Sequence, residues 1–139
     1  MSSATDVVRS FYAAIEEGCH GDQLAAFLAP GARTIERPNA LVPTGRVSDR
    51  TTMMANSTTG AGLLASQTYR VRSLVEVDGT VAARLTWTAV VAQDAGPFAA
   101  GQQLTAHIAQ FIRVRDGLIE EIETYDCYEP STSQRRAEP

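Results

Sequence analysis

The sequence predicts an α+β domain in which a strongly curved antiparallel sheet is closed by three N-terminal helices around a pocket. Three observations carry this. Apolar residues recur at helical spacing over the first part of the chain, with Val7, Val8, Phe11 and Ile15 on one face. From Gln67 onward the period changes to two, with Tyr69, Val71, Ser73, Val75 and Val77 alternating against Arg70, Arg72 and Glu76. Finally, Asp78-Gly79 and Asp116-Gly117 are tight-turn dipeptides, each joining two long strand-like runs.

In chain order, Ser3 and Asp6 form a capping-box pattern before the first helix, and Gly18 stops it. Asp22 caps a short second helix carrying Leu24, Phe27 and Leu28, which Pro30-Gly31 ends before a brief strand from Ala32 to Arg37. Two prolines and Gly45 make the stretch from Pro38 to Val47 a loop. Ser48 or Asp49 then caps a third helix through Met53 and Met54, whose end is blurred by Gly60 and Gly62. One hairpin pairs Gln67–Val77 with Thr80–Gln93, and a second pairs Gln102–Arg115 with Leu118–Tyr128. The reading is one domain over residues 1–130, followed by a disordered tail at 131–139 that has nothing to bury.

Composition narrows the function classes. The chain has 139 residues, 44% of them hydrophobic, the size and apolar content of one ordinary domain. Its net charge of -4 is spread along the chain, which argues against nucleic acid and anionic lipid as partners. No run approaches a membrane span, and the first residues lack the regions of a signal peptide, so the expected location is cytoplasmic. Cys19 and Cys127 belong to no metal-spaced cluster and are expected as reduced thiols. Cys19-His20 reads as part of a helix-ending turn, because neighbours in a Gly-flanked segment seldom converge on one atom. No phosphate-binding or dinucleotide motif is present, so neither cofactor nor metal is expected.

The later strands are apolar on both faces. In Gln102–Arg115 one parity carries Leu104, Ala106, Ile108, Ile112 and Val114, and the other carries Ala109 and Phe111. A sheet with one wet face alternates more cleanly. A homodimer packed sheet to sheet is therefore expected, with Ile108, Ile112 and Val114 in the contact.

The runs Val7 to Gly18, Leu24 to Pro30, Thr34-Ile35-Glu36-Arg37-Pro38 and Phe111 to Glu121 resemble the nuclear transport factor 2-like superfamily. Within it, residues 5 to 130 most resemble the SnoaL-like proteins, a group that includes polyketide cyclases, and are similar overall to ketosteroid isomerases. The resemblance implies a cone-shaped fold and leaves the activity open, since the fold hosts isomerases, cyclases, dehydratases, hydrolases and binding modules. Ketosteroid isomerases use a first-helix tyrosine, an aspartate before the proline after the first strand, and an aspartate in the penultimate strand. By alignment these positions are Phe11, Arg37 and Ala109, which implies that steroid isomerisation is absent. The cyclases' acid-base run falls on Glu121-Ile122-Glu123-Thr124, where neither of its residues is kept in place.

The resemblance implies that Arg37, Leu85, Trp87, His107, Phe111, Ile122, Thr124 and Asp126 face the pocket. His107 and Asp126 are the candidate acid-base pair; Arg37, Tyr69, Trp87, Phe111, Ile122 and Thr124 are candidate ligand contacts. Two readings stay open for Asp126. Paired with Arg37 it would be a weak base, whereas desolvated beside aromatic side chains its pKa would rise and base catalysis becomes credible. Two function classes stay open as well: a cofactor-independent enzyme that isomerises, cyclises, hydrates or dehydrates a small apolar or carbonyl-bearing metabolite, and a non-catalytic ligand-binding or dimerisation module.

Overall fold

A computed structural model describes residues 3–130, so the expected tail lies outside the described residues. Helix α1 (Ala4–Glu16) opens on the capping box, with Asp6 N–H donating to Ser3 Oγ and Ser3 N–H to the Asp6 carboxylate. It buries Val7, Val8, Phe11 and Tyr12. Helix α2 (Asp22–Ala25) is a single turn. Strand β1 (Leu28–Glu36) begins earlier than the sequence implies: Leu28 is the first strand residue, and Pro30 and Gly31 lie within the strand. An irregularity between Leu28 and Arg33 in its pairing with β6 accommodates them, because proline is tolerated where no ladder hydrogen bond is needed.

Arg46–Asp49 is a second strand, β2, in the place where the expected loop ends. It pairs antiparallel with β1 and hands over to α3 (Arg50–Leu63), whose N-cap Asp49 accepts a hydrogen bond from Thr52 N–H. Gly60 and Gly62 stay inside this helix, and β3 starts directly at Leu64.

Strands β3 (Leu64–Val77), β4 (Thr80–Val91), β5 (Gln103–Arg115) and β6 (Leu118–Tyr128) complete a curved, open six-stranded sheet in the order β2-β1-β6-β5-β4-β3. All neighbours are antiparallel except β1 and β6. Both Asp-Gly turns form, with positive φ at Asp78, Gly79, Asp116 and Gly117.

The inner face of the sheet packs on α1. Leu85, Ile108, Ile112, Ile119 and Ile122 join Val8, Phe11 and Tyr12 in the core. Ile108 and Ile112 are therefore core residues and Val114 packs against them, which corrects the expectation that this parity forms a dimer contact. The outer face carries the other parity, with Phe111 and Tyr125 exposed and in edge-to-face contact. Across it runs a ladder of ion pairs, Arg33–Glu121, Arg37–Glu123 and Arg113–Glu120. Among the described residues, no helix is long and apolar enough to cross a membrane.

Candidate functional site

Between the sheet's inner face and helices α1 and α3 lies a cavity of about 280 Å³. Its apolar wall includes Phe11, Leu24, Met53, Met54, Tyr69 and Ile122; its polar lining is Thr34, Glu36, Arg46, Ser48, Asn56, Ser57, Gln110 and Thr124. A second hollow, about 500 Å³, lies between the end of α1, α3 and the start of β3 and shares Ile15, Leu24, Ser57 and Tyr69 with the first. Cys19 and His20 border that second hollow in the turn after α1, with His20 Nδ1 3.1 Å from Thr58 Oγ1.

The cavity's polar groups are already organised. Glu36 and Arg46 form an ion pair at 2.9 Å, and Asn39 Nδ2 donates to the other Glu36 oxygen. Tyr12 Oη donates to Gln110 Oε1 at 2.6 Å, Gln110 Nε2 to Thr124 Oγ1 at 3.1 Å, and Thr124 Oγ1 to Asp126 Oδ1. This chain of hydrogen bonds runs from α1 across β5 to β6. Tyr69 stacks on Tyr12 with ring centroids 4.9 Å apart, and Trp87 meets Tyr128 edge to face.

Asp126 ends the chain, and burial is the main cause that lifts its pKa above the ordinary carboxylate value; the Thr124 hydrogen bond pulls it down, and the nearby Glu36 charge pushes it up further. Tyr69 and Tyr128 are both raised, first by burial and next by the Asp126 charge, so both remain protonated phenols at neutral pH. Tyr12 is also raised, by burial and then by Tyr69.

Of the residues singled out from sequence, Tyr69, Ile122 and Thr124 line the cavity, and Asp126, Leu85 and Trp87 share its face of the sheet. His107, Arg37 and Phe111 do not. His107 is exposed on the outer face with Nε2 2.6 Å from Glu129, and Phe111 is 44% exposed there. Arg37 pairs with Glu123 on that face; the hydrogen bond from Arg37 holds the Glu123 carboxylate low and the same bond raises the guanidinium.

The reason for His107 is a single irregularity. Arg115 pairs with Leu118 across the turn, and an unbroken ladder from there would set His107 opposite Asp126. A β-bulge between Arg113 and Val114 shifts the register by one, so His107 pairs with Cys127 and Asp126 with Ile108. A one-residue shift sends a side chain to the other face.

Of the three positions aligned to isomerase residues, Phe11 lines the cavity and the other two do not. Arg37 and Ala109 face outward, while Tyr12, Glu36 and Gln110, one position away in each case, face inward. The alignment that implied no isomerase chemistry thus compared outward-facing side chains at two of three positions. Glu36, Arg46, Ser48 and Gln110 are cavity residues that the sequence reading missed. The inward parity of β5 is Ala106, Ile108, Gln110 and Ile112, but Ala109 and Phe111 make the other parity apolar as well, so the pattern alone did not single out Gln110.

A curved open sheet over helices, enclosing a small cavity with a mixed polar and apolar lining, defines a cone-type ligand-binding fold. The family profile of the SnoaL-like domain matches residues 8–122, and the chain belongs to that family, within the nuclear transport factor 2-like superfamily. The fold is shared with IdmH, a candidate polyketide cyclase from Streptomyces antibioticus, at a TM-score of 0.74 and 23% identity over 90% of this chain and 92% of that one. A candidate polyketide cyclase from Xanthomonas campestris pv. campestris superposes at 0.70 with 24% identity over 88% of each chain. A protein of ketosteroid isomerase-like fold from Catenulispora acidiphila, in complex with trimethylamine, superposes at 0.67 with 11% identity over 89% of this chain and 86% of that one. No curated protein matches the sequence.

Proposed function

We propose that this SnoaL-like protein binds a small, largely apolar, carbonyl-bearing metabolite in the inner cavity and that Asp126 moves a proton on it, in a cofactor-independent isomerisation, cyclisation or hydration–dehydration. One observation carries the reading: Asp126 is on the cavity face, desolvated and raised in pKa, while Arg37, which could have neutralised it, is bound to Glu123 on the other face. A carboxylate that gains basicity from burial is suited to removing a proton next to a carbonyl. Tyr69 and Tyr128, protonated phenols whose own pKa values respond to the Asp126 charge, are the donors available to a developing enolate oxygen. His107 has no part in this scheme, because it stands across the sheet.

The test is exchange of the α-hydrogens of cyclohexanone with D₂O, followed by ¹H NMR with the native protein and with Asp126→Asn. General-base catalysis is worth roughly 10²- to 10⁴-fold, so the variant is expected to lose at least tenfold of the protein-dependent rate. Equal rates in the two proteins would leave the non-catalytic binding module as the function. Native mass spectrometry of freshly purified protein tests the binding half of the proposal through a co-purifying small molecule.

The same reading includes a homodimer, formed through the outer face of the sheet. Val75, Val77, Phe111 and Tyr125 are large hydrophobic side chains exposed together on that face. The Arg–Glu ladder beside them carries both signs of charge, which a two-fold partner can complement.

A further inference from the structure

Where the loops after β1 and β4 meet the end of β6 is a third hollow, the mouth hollow, of about 290 Å³, lined chiefly by Leu41, Pro97, Phe98, Leu104 and Tyr128. We propose that it is an apolar subsite for the far end of an elongated ligand whose carbonyl lies at Asp126. The ligand class is then a carbonyl compound bearing an apolar tail of several carbons. This rests on the inner cavity as the binding site and does not require Asp126 to be catalytic.

The alignment of the two hollows along β6 supports it. Side chains at alternate positions of β6 share one face, and there Thr124 lines the inner cavity, Tyr128 lines the mouth hollow, and Asp126 stands between them. Asp126 is felt electrostatically at Tyr69 on the cavity side and at Tyr128 on the mouth side. Each hollow alone is at the small end of ligand sites, which run from roughly 300 to 1,000 Å³. On β6, Asp126 is the inward position between the two.

The mouth is also held in shape before anything binds. Asn39 Oδ1 accepts from the backbone N–H groups of Leu41 and Val42 while Asn39 Nδ2 donates to Glu36, so the residue that fixes Leu41 at the mouth is tied to the cavity's own carboxylate. On the opposite rim, Asp94 Oδ1 accepts from Ala100 N–H and Gln102 Oε1 from Ala99 N–H, which sets the turn that presents Phe98. Leu41 is 45% exposed there. An apolar side chain fixed at a cavity mouth by its own loop loses little further entropy when a ligand covers it.

The experiment is a ¹H–¹⁵N NMR titration of the native protein with cyclohexanone, 4-propylcyclohexanone and 4-pentylcyclohexanone, repeated on Leu41→Asp and on Phe98→Ala. The ring head alone should perturb Thr124 and spare Leu41 and Phe98, whereas the tailed probes should perturb all three. Affinity should rise roughly threefold to fourfold per added methylene, the factor expected for apolar burial. Each variant should flatten that rise and leave cyclohexanone binding within about twofold, since neither residue lines the inner cavity. Tail-independent affinity, or an equal loss for tailed and untailed probes in both variants, would overturn the subsite. Cyclohexanone failing to perturb Thr124 at all would overturn the inner-cavity reading, and this one with it.

Discussion

Burial of a carboxyl has a stability signature as well as a chemical one, and at Asp126 the two share a cause. In the unfolded chain this group titrates near its ordinary value of 3.8, and in the fold its pKa is higher. Below both values the carboxyl is neutral in either state and contributes nothing. As pH rises through the window between them the unfolded chain ionises first, so Asp126 destabilises the fold at neutral pH. Asp126→Asn should therefore melt above the native protein at pH 7, with the gap closing as the pH falls below 3.8; calorimetry at several pH values measures this. The inward placement of Thr124 and Asp126 on β6 came from the family resemblance, since beyond Ile122 the more apolar series, Tyr125 and Cys127, is the outward one. His107 was misplaced because the register slips at Glu120, the extra residue of the bulge, which lies in β6 and not in His107's own strand; its only trace in the sequence is the spacing of Ile119 and Ile122, both buried but three apart.

At the scale of elements, α3 is the weakest link around the cavity. None of its residues is fully buried; its apolar contact with the core cluster is through Met53 and Met54, and Arg50, Ser57 and Thr58 add hydrogen bonds with Ala25, Gly21 and His20. Gly60 and Gly62 sit within it, and an added Cβ at either position meets nothing within 4 Å. Alanine at each should stabilise the protein by roughly 0.4–1 kcal/mol, read from denaturant midpoints at an unchanged m-value. The two hairpin glycines should behave oppositely and unequally. Both have positive φ, but a Cβ at Gly79 would stand 3.0 Å from the Val114 carbonyl oxygen, whereas at Gly117 it meets nothing. Gly79→Ala is therefore expected to lower the denaturant midpoint more than Gly117→Ala. The sequence disclosed these turns because Asp-Gly has a local conformational reason to be there. It hid β2, since four residues beside two prolines and a glycine carry too little periodicity to show pairing with β1.

For the whole molecule, the α+β order, the curved sheet and the family were legible because long alternating strands, caps and turns all agree. Which sheet face meets the helices was not, because the outer face is itself rich in apolar residues. In a homodimer those residues are covered. Phe111→Asp is expected to shift sedimentation equilibrium at micromolar concentration from dimer to monomer without changing the far-ultraviolet dichroism, while native protein that sediments only as monomer would remove the dimer.

One carboxyl on the cavity face of the sheet decides the chemistry, and ¹³C NMR titration of the Asp126 side chain reads its state directly. The structure predicts a midpoint above 3.8 in the native protein, because burial outweighs the Thr124 hydrogen bond. A midpoint at or below 3.8 would contradict the account, since the charged form would then be favoured in the fold and Asp126 would have gained no basicity from it.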